Sequence, residues 1–192
     1  MKLVILDRDG TINSLAEDEF FITSLAEWVP VPGALEAIAR LGHAGWRVVI
    51  ATNQPGLGRG LLDVTTMNAI HALMHKQLAS LGGRIDAVFY CPHTADENCT
   101  CRKPLPGLLE QICERYGLDP SDVPVVGSCA AHLQAGAAIG APLHLVGSGQ
   151  AAAPGAHALD TPAIPLPAGT QVHANLAALV DHLLAPKVVV LA

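Results

Sequence analysis

The chain has 192 residues, of which 51% are hydrophobic and only 15% charged, with 11 Lys and Arg against 17 Asp and Glu for a net charge of -6. That balance suits one well-filled domain and excludes a globally disordered chain. It also argues against nucleic acid or an anionic membrane as a partner, since both call for a basic surface, and aromatic residues at 4% leave little for base stacking. No run approaches the roughly 20 apolar residues of a membrane span. The opening apolar stretch 3–6 is stopped by Asp7-Arg8-Asp9, too short for a signal-peptide core. Five cysteines cannot all pair, and three of them crowd beside a histidine, which reads as metal chemistry in a reducing compartment. A cytoplasmic monomer is expected.

Short apolar, β-branched runs at 3–6, 47–51, 86–90, 123–126 and 143–146 read as strands of a parallel sheet covered on both faces. Helical spacing falls between them. Leu35, Ile38 and Leu41 share a face in 33–41. Asp63 is a candidate N-cap for a longer helix that carries Met67, Ile70, Leu73, Met74, Leu78 and Leu81 and stops at Gly82-Gly83. Further helices fit 106–116, 129–138 and 174–184. Strand and helix alternating in this way predict an α/β fold with a doubly wound, Rossmann-like parallel sheet, a single domain over 1–185 and a tail at 186–192. The Gly-, Ala- and Pro-rich segment 147–169 either hides a short strand near 163–166 or is a long loop.

In such sheets the chemistry lies beyond the carboxyl ends of the strands. After the first strand comes Asp7-Arg8-Asp9-Gly10-Thr11. Residues two apart on an extended chain project to one side, so both carboxylates can face one reacting group. A carboxylate can attack phosphorus, and a second can act as general acid and then general base. A solvated turn is the plainer reading of the motif alone. After the second strand, Thr52 and Asn53 offer polar groups for phosphate oxygens, Gly56, Gly58 and Gly60 make the next loop permissive, and Arg59 can reach back as an anion contact. Lys103, after Arg102, supplies a cation for a transferring phosphoryl group. Cys91, His93, Cys99 and Cys101 make a Cys₃His set suited to a closed structural Zn²⁺ site, with buried free thiols as the alternative. Cys113 and Cys129 fall outside it and read as core or helix-surface residues.

Together these motifs resemble the haloacid dehalogenase superfamily of phosphohydrolases: Asp7-x-Asp9-Gly10-Thr11 matches its first motif, Thr52 its second and Lys103 its third. The resemblance implies that Asp7 is the nucleophile, that Asp9 is the general acid/base, and that Mg²⁺ is held by the Asp7 carboxylate and the Asp9 main-chain carbonyl. Leu6 to Asn13, Ala51 to Gly60, and the zinc loop running into Arg102-Lys103-Pro104 are similar to the heptose bisphosphate phosphatase branch, over roughly residues 1–147 and without a large cap domain. That branch implies a sugar-phosphate substrate losing its C7 phosphate, with Arg102 near the second phosphate. Histidinol-phosphate phosphatases, which share the zinc loop, give the competing activity.

One departure stands out. The superfamily's fourth motif, Gly-Asp-x-x-x-Asp, aligns with Gly127-Ser128-Cys129-Ala130-Ala131-His132, so both acids are replaced. Three readings follow: a metal-hungry phosphatase in which Ser128 or water takes the ligand position, a sugar-phosphate-binding protein with little turnover, or a site where His132 recruits a softer metal.

Overall fold

Six strands form the centre of the computed structural model, which describes residues 1–17, 19–147 and 165–186. They are β1 (Lys2–Leu6), β2 (Trp46–Asn53), β3 (Ala87–Cys91), β4 (Val125–Gly127), β5 (Leu143–Val146) and β6 (Gln171–His173). Their order across the sheet is β3-β2-β1-β4-β5-β6, with every pair parallel. Strand order reverses between β1 and β4, and the crevice at that switch is where open α/β sheets hold their ligands.

Alternate side chains fill two cores, as the period-2 pleat requires. Val4, Leu6, Val48, Ile50 and Val126 face one way and pack with α1 (Ala34–His43), α3 (Val64–Ser80) and α6 (Leu176–Leu184), while the one-turn α2 (Pro55–Gly58) follows β2 directly. Leu3, Ile5, Val49, Ala51, Val125 and Leu143 face the other and meet α4 (Gly107–Tyr116) and α5 (Ala130–Ala138). The doubly wound sheet expected from the alternating pattern is thus observed.

The local signals act where they stand. Asp63 accepts a hydrogen bond from the Thr66 amide at 2.6 Å and starts α3, whose buried face is Met67, Ile70, Met74 and Leu78. Gly117, with φ of 63°, closes α4 in the left-handed conformation. Two expectations shift. Leu81 is exposed beyond the end of α3, and the sixth strand lies at 171–173 rather than near 163–166, of which 163 and 164 fall outside the described residues. The 186–192 tail is described only at Pro186. No described helix is long and apolar enough to cross a membrane.

Candidate active site

The turn after β1 brings the first motif into the crevice. Gly10 has a φ of 76°, and the Ile12 amide returns to the Arg8 carbonyl at 2.8 Å, so the chain reverses directly after Asp9. A side chain at Gly10 would also run into Ser128 Oγ, 2.9 Å from where its Cβ would stand. Asp7 and Asp9 are both buried at the wall of a cavity of about 400 Å³.

Asp7 Oδ1 accepts from the Arg8 amide at 2.8 Å and lies 2.8 Å from the Lys103 ammonium, while Oδ2 lies 3.4 Å from the Cys129 thiol and 3.9 Å from His132 Nδ1. Burial alone would raise the Asp7 carboxyl, but the adjacent Lys103 charge and these hydrogen bonds outweigh it and hold the pKa at about 2. Asp7 is therefore a carboxylate at neutral pH.

Lys103 is fixed from three directions. Its Nζ donates to the Ala51 carbonyl at 2.8 Å and to His132 Nδ1 at 2.9 Å. Its backbone is gripped by Asn53, which accepts from the Lys103 amide and donates to the Lys103 carbonyl, each at 3.0 Å. Asn53, expected at the phosphate, thus has its side-chain amide engaged with the lysine's main chain. His132 is fully buried, and burial together with the neighbouring cation pushes its pKa down to about 3. A neutral ring whose Nδ1 accepts from Lys103 can position that lysine, while its buried Nε2 has no hydrogen-bond partner among the described residues.

Asp9 sits among four donating atoms. Arg8, itself without solvent exposure, reaches it through Nη2 at 2.9 and 3.0 Å and through Nε at 3.3 Å. Asn13 and Gln54 add bonds at 3.1 and 2.8 Å. His71 on α3, pushed down to about 4 by burial and the Arg8 charge, lies with Nε2 3.0 Å from Arg8 and braces the guanidinium. Gln54 also donates to Thr52 Oγ1 at 2.9 Å, tying the second motif to the first. Arg8, Gln54 and His71 carry no motif of their own in the sequence. A charged residue between two aspartates at the end of an apolar strand was the available signal for Arg8.

Ser128 Oγ shares a hydrogen bond with Thr11 Oγ1 at 3.1 Å, and the Ser128 amide also reaches Thr11 at 3.1 Å. Cys129, read from sequence as a core or helix-surface residue, instead stands against the nucleophile and lines the cavity. Cys113 is in the core as expected. Arg59, Arg102, Thr52 and Asn53 line the same cavity. Its far side is built by the segment between β1 and α1, through Phe20, Phe21, Thr23 and Glu27, none of which carried a motif. Phe21 is seated on Gly56, where a Cβ would come within 2.7 Å of its ring.

The remaining cluster lies at the end of β3. Cys91 Sγ is 3.2 Å from Cys101 Sγ and 3.8 Å from Cys99 Sγ, and His93 Nδ1 is 3.4 and 3.3 Å from Cys91 and Cys101. All four ligand atoms fall within 4.8 Å of one another, close to the ~3.8 Å edge of a tetrahedron with Zn–S of about 2.3 Å. The donor set fits a tetrahedral metal. Arg102 is anchored to this loop through its amide to Cys99 Sγ at 3.4 Å and its guanidinium to the His93 carbonyl at 3.3 Å.

An aspartate after β1, paired with a buried lysine at the switch point of a parallel sheet, is an arrangement suited to receiving a phosphoryl group. The chain belongs to the haloacid dehalogenase-like hydrolases, whose family model matches residues 4–140. It is 49% identical to the D-glycero-beta-D-manno-heptose-1,7-bisphosphate 7-phosphatase of Bordetella bronchiseptica, over 96% of this chain and 98% of the relative. It is 43% identical to the enzyme of that name from Pseudomonas aeruginosa, over 95% and 97% of the two chains. The solved structure of the D,D-heptose 1,7-bisphosphate phosphatase of B. bronchiseptica, complexed with magnesium and phosphate, superposes with a TM-score of 0.85 at 48% identity, over 96% and 98% of the two chains.

Proposed function

We propose that this chain removes the 7-phosphate of D-glycero-β-D-manno-heptose 1,7-bisphosphate, with Asp7 as nucleophile and Asp9 as general acid/base. The observation that carries the reading is the buried Asp7–Lys103 pair at 2.8 Å, in a cavity rimmed by further cations. Similarity over nearly the whole chain to two heptose bisphosphate phosphatases supports this substrate over histidinol phosphate.

Asp7 attacks phosphorus, the bond to the C7 oxygen breaks, and Asp9 gives that oxygen its proton. Water then attacks the aspartyl phosphate, Asp9 takes the water's proton, and Asp7 and inorganic phosphate are released. Lys103 faces the charge that develops on the phosphoryl oxygens, with Thr52 beside it. Arg59 and Arg102, on the cavity rim, are suited to the second phosphate.

The site's oxygen donors fit Mg²⁺ in kind, and one Asp7 oxygen has only the weak Cys129 thiol within hydrogen-bond reach. The Asp7 carboxylate, the Asp9 carbonyl and the Ser128 hydroxyl would hold the ion. Bound there, Mg²⁺ would neutralise phosphoryl charge. With serine at 128 the protein supplies one formal charge to that ion rather than two, so a high magnesium requirement is part of the reading. The Cys₃His set would hold a structural Zn²⁺ that fixes Arg102 and Lys103. We further read the chain as a cytoplasmic monomer with one domain over 1–185, in keeping with five free cysteines.

Phosphate release from the bisphosphate and from histidinol phosphate, measured across a Mg²⁺ titration, tests the assignment. Release confined to the heptose substrate supports it, and preference for histidinol phosphate overturns it.

A further inference from the structure

Away from the crevice, three histidines meet beneath α6. His144 lies within β5 and His173 ends β6. Val146 is the register partner of His173, so His144, two residues before Val146, shares the His173 face of the sheet. That is the face packed by Leu176, Leu179 and Val180 of α6, and His182 descends from the same helix. The three ring centroids are 5.2, 5.2 and 5.7 Å apart, and His144 Nδ1 is already 3.0 Å from His173 Nε2. None of the three lines the active-site cavity.

The ring spacing is that of imidazoles gathered on one ion, with the nitrogens of His144 and His173 already close and those of all three not yet within 4.8 Å of one another. With Zn–N of about 2.0–2.1 Å and ring nitrogens about 1.15 Å from the ring centre, three imidazoles on a tetrahedral ion have centroids ~5.1–5.3 Å apart. We propose that His144, His173 and His182 form a transition-metal site of three imidazoles that takes Zn²⁺, separate from the Cys₃His loop and from the catalytic crevice.

The chemistry around the trio agrees. His144 is buried, and an imidazole ligates through a ring nitrogen that carries no proton. Imidazole nitrogens without a carboxylate select zinc-like ions over magnesium. Asp181, the neighbour of His182, is turned to Arg40 at 2.6 Å and is largely exposed. Ligation requires no net proton loss at the close pair. The hydrogen now shared between His144 and His173 moves to the outer nitrogen of its ring, and His182 turns a nitrogen inward by side-chain rotation. The bound ion would tie β6 and α6, the last described elements of the chain, to β5.

Zinc stoichiometry on the full chain tests this, after chelation, equilibration with Zn²⁺ and desalting. About two zinc ions per chain are expected in the native protein and in Asp7→Asn, which removes the crevice as a source. His173→Gln and His182→Gln should each retain about one, and Zn²⁺ should raise their Tm less than it raises that of the native chain. Phosphatase activity should be unchanged in both, which also shows that they fold. About one zinc in the native protein overturns the proposal, as does retention of two by both histidine variants. Loss of the second ion in Asp7→Asn overturns it too, by placing that ion in the crevice.

Discussion

Lys103 Nζ and His132 Nδ1 are 2.9 Å apart, both buried, one charged and one neutral. The lysine that faces Asp7 is thus held by an imidazole lone pair, where the superfamily pattern has a carboxylate. A carboxylate would compete with Asp7 for the lysine's charge, whereas a neutral acceptor orients the ammonium and leaves that charge for Asp7 and a phosphoryl group. His132→Ala should therefore cost activity through a mispositioned Lys103, by about 10²-fold, comparable with the loss of one oxyanion donor. His132→Asn, which keeps an acceptor, should recover part of it. Because His132 acts through Lys103, the fall should appear in kcat more than in KM.

The same histidine makes the fold sensitive to acid. Its folded pKa of about 3 lies below the ordinary 6.5, so the unfolded chain binds a proton that the native chain refuses. Its contribution is fully present above pH 6.5 and is lost as pH falls from there toward 3, by about 1.4 kcal/mol per unit. Asp7 acts lower, its contribution being lost from the ordinary 3.8 down to about 2. Denaturant midpoints taken from pH 7 to pH 4.5 should fall steadily in the native protein and less steeply in His132→Asn.

Arg8 is the largest fully buried side chain, and its charge is met by Asp9. Removing one partner of such a pair leaves the other charge buried alone, at a cost of about 3–5 kcal/mol. Arg8→Met should lower stability by that amount in urea melts and should release Asp9 from its fixed orientation, reducing kcat. A variant as stable as the native chain would contradict the pairing.

Ser128→Asp would add a carboxylate next to Cys129, whose thiol meets Asp7. The Mg²⁺ concentration for half-maximal activity should drop about tenfold, equivalent to about 1.4 kcal/mol of added binding. Calorimetric titration of Mg²⁺ in the presence of phosphate should show the same change, independent of turnover. An unchanged requirement would mean that Ser128 does not face the ion.

Much of this arrangement is legible in the chain itself, for definite reasons. The parallel sheet is announced by continuous β-branched runs, because strands buried on both faces need them. Asp7, Asp9, Lys103 and the thiols carry chemistry whose spacing survives without coordinates. The strand Gln171–His173 was missed because it is three residues long, and its Gln171 and Val172 are exposed, leaving no apolar run. Phe20, Phe21 and Glu27 come from an irregular segment whose place over the crevice is set by tertiary packing. Cys129 reads as a core or helix-surface residue until the start of α5 is seen to deliver it to Asp7. His132 and Lys103 are 29 residues apart, and only the meeting of α5 with the loop after β3 reveals the bond.

Asp7 is proposed to carry out hydrolysis at C7 of a heptose bisphosphate. Product analysis by phosphorus NMR, at saturating Mg²⁺ and with native protein beside Asp7→Asn, tests it most directly. One equivalent of inorganic phosphate should appear with the heptose 1-phosphate intact, and Asp7→Asn should be slower by about 10⁴-fold or more. Loss of the 1-phosphate, or comparable release by Asp7→Asn, would contradict the account.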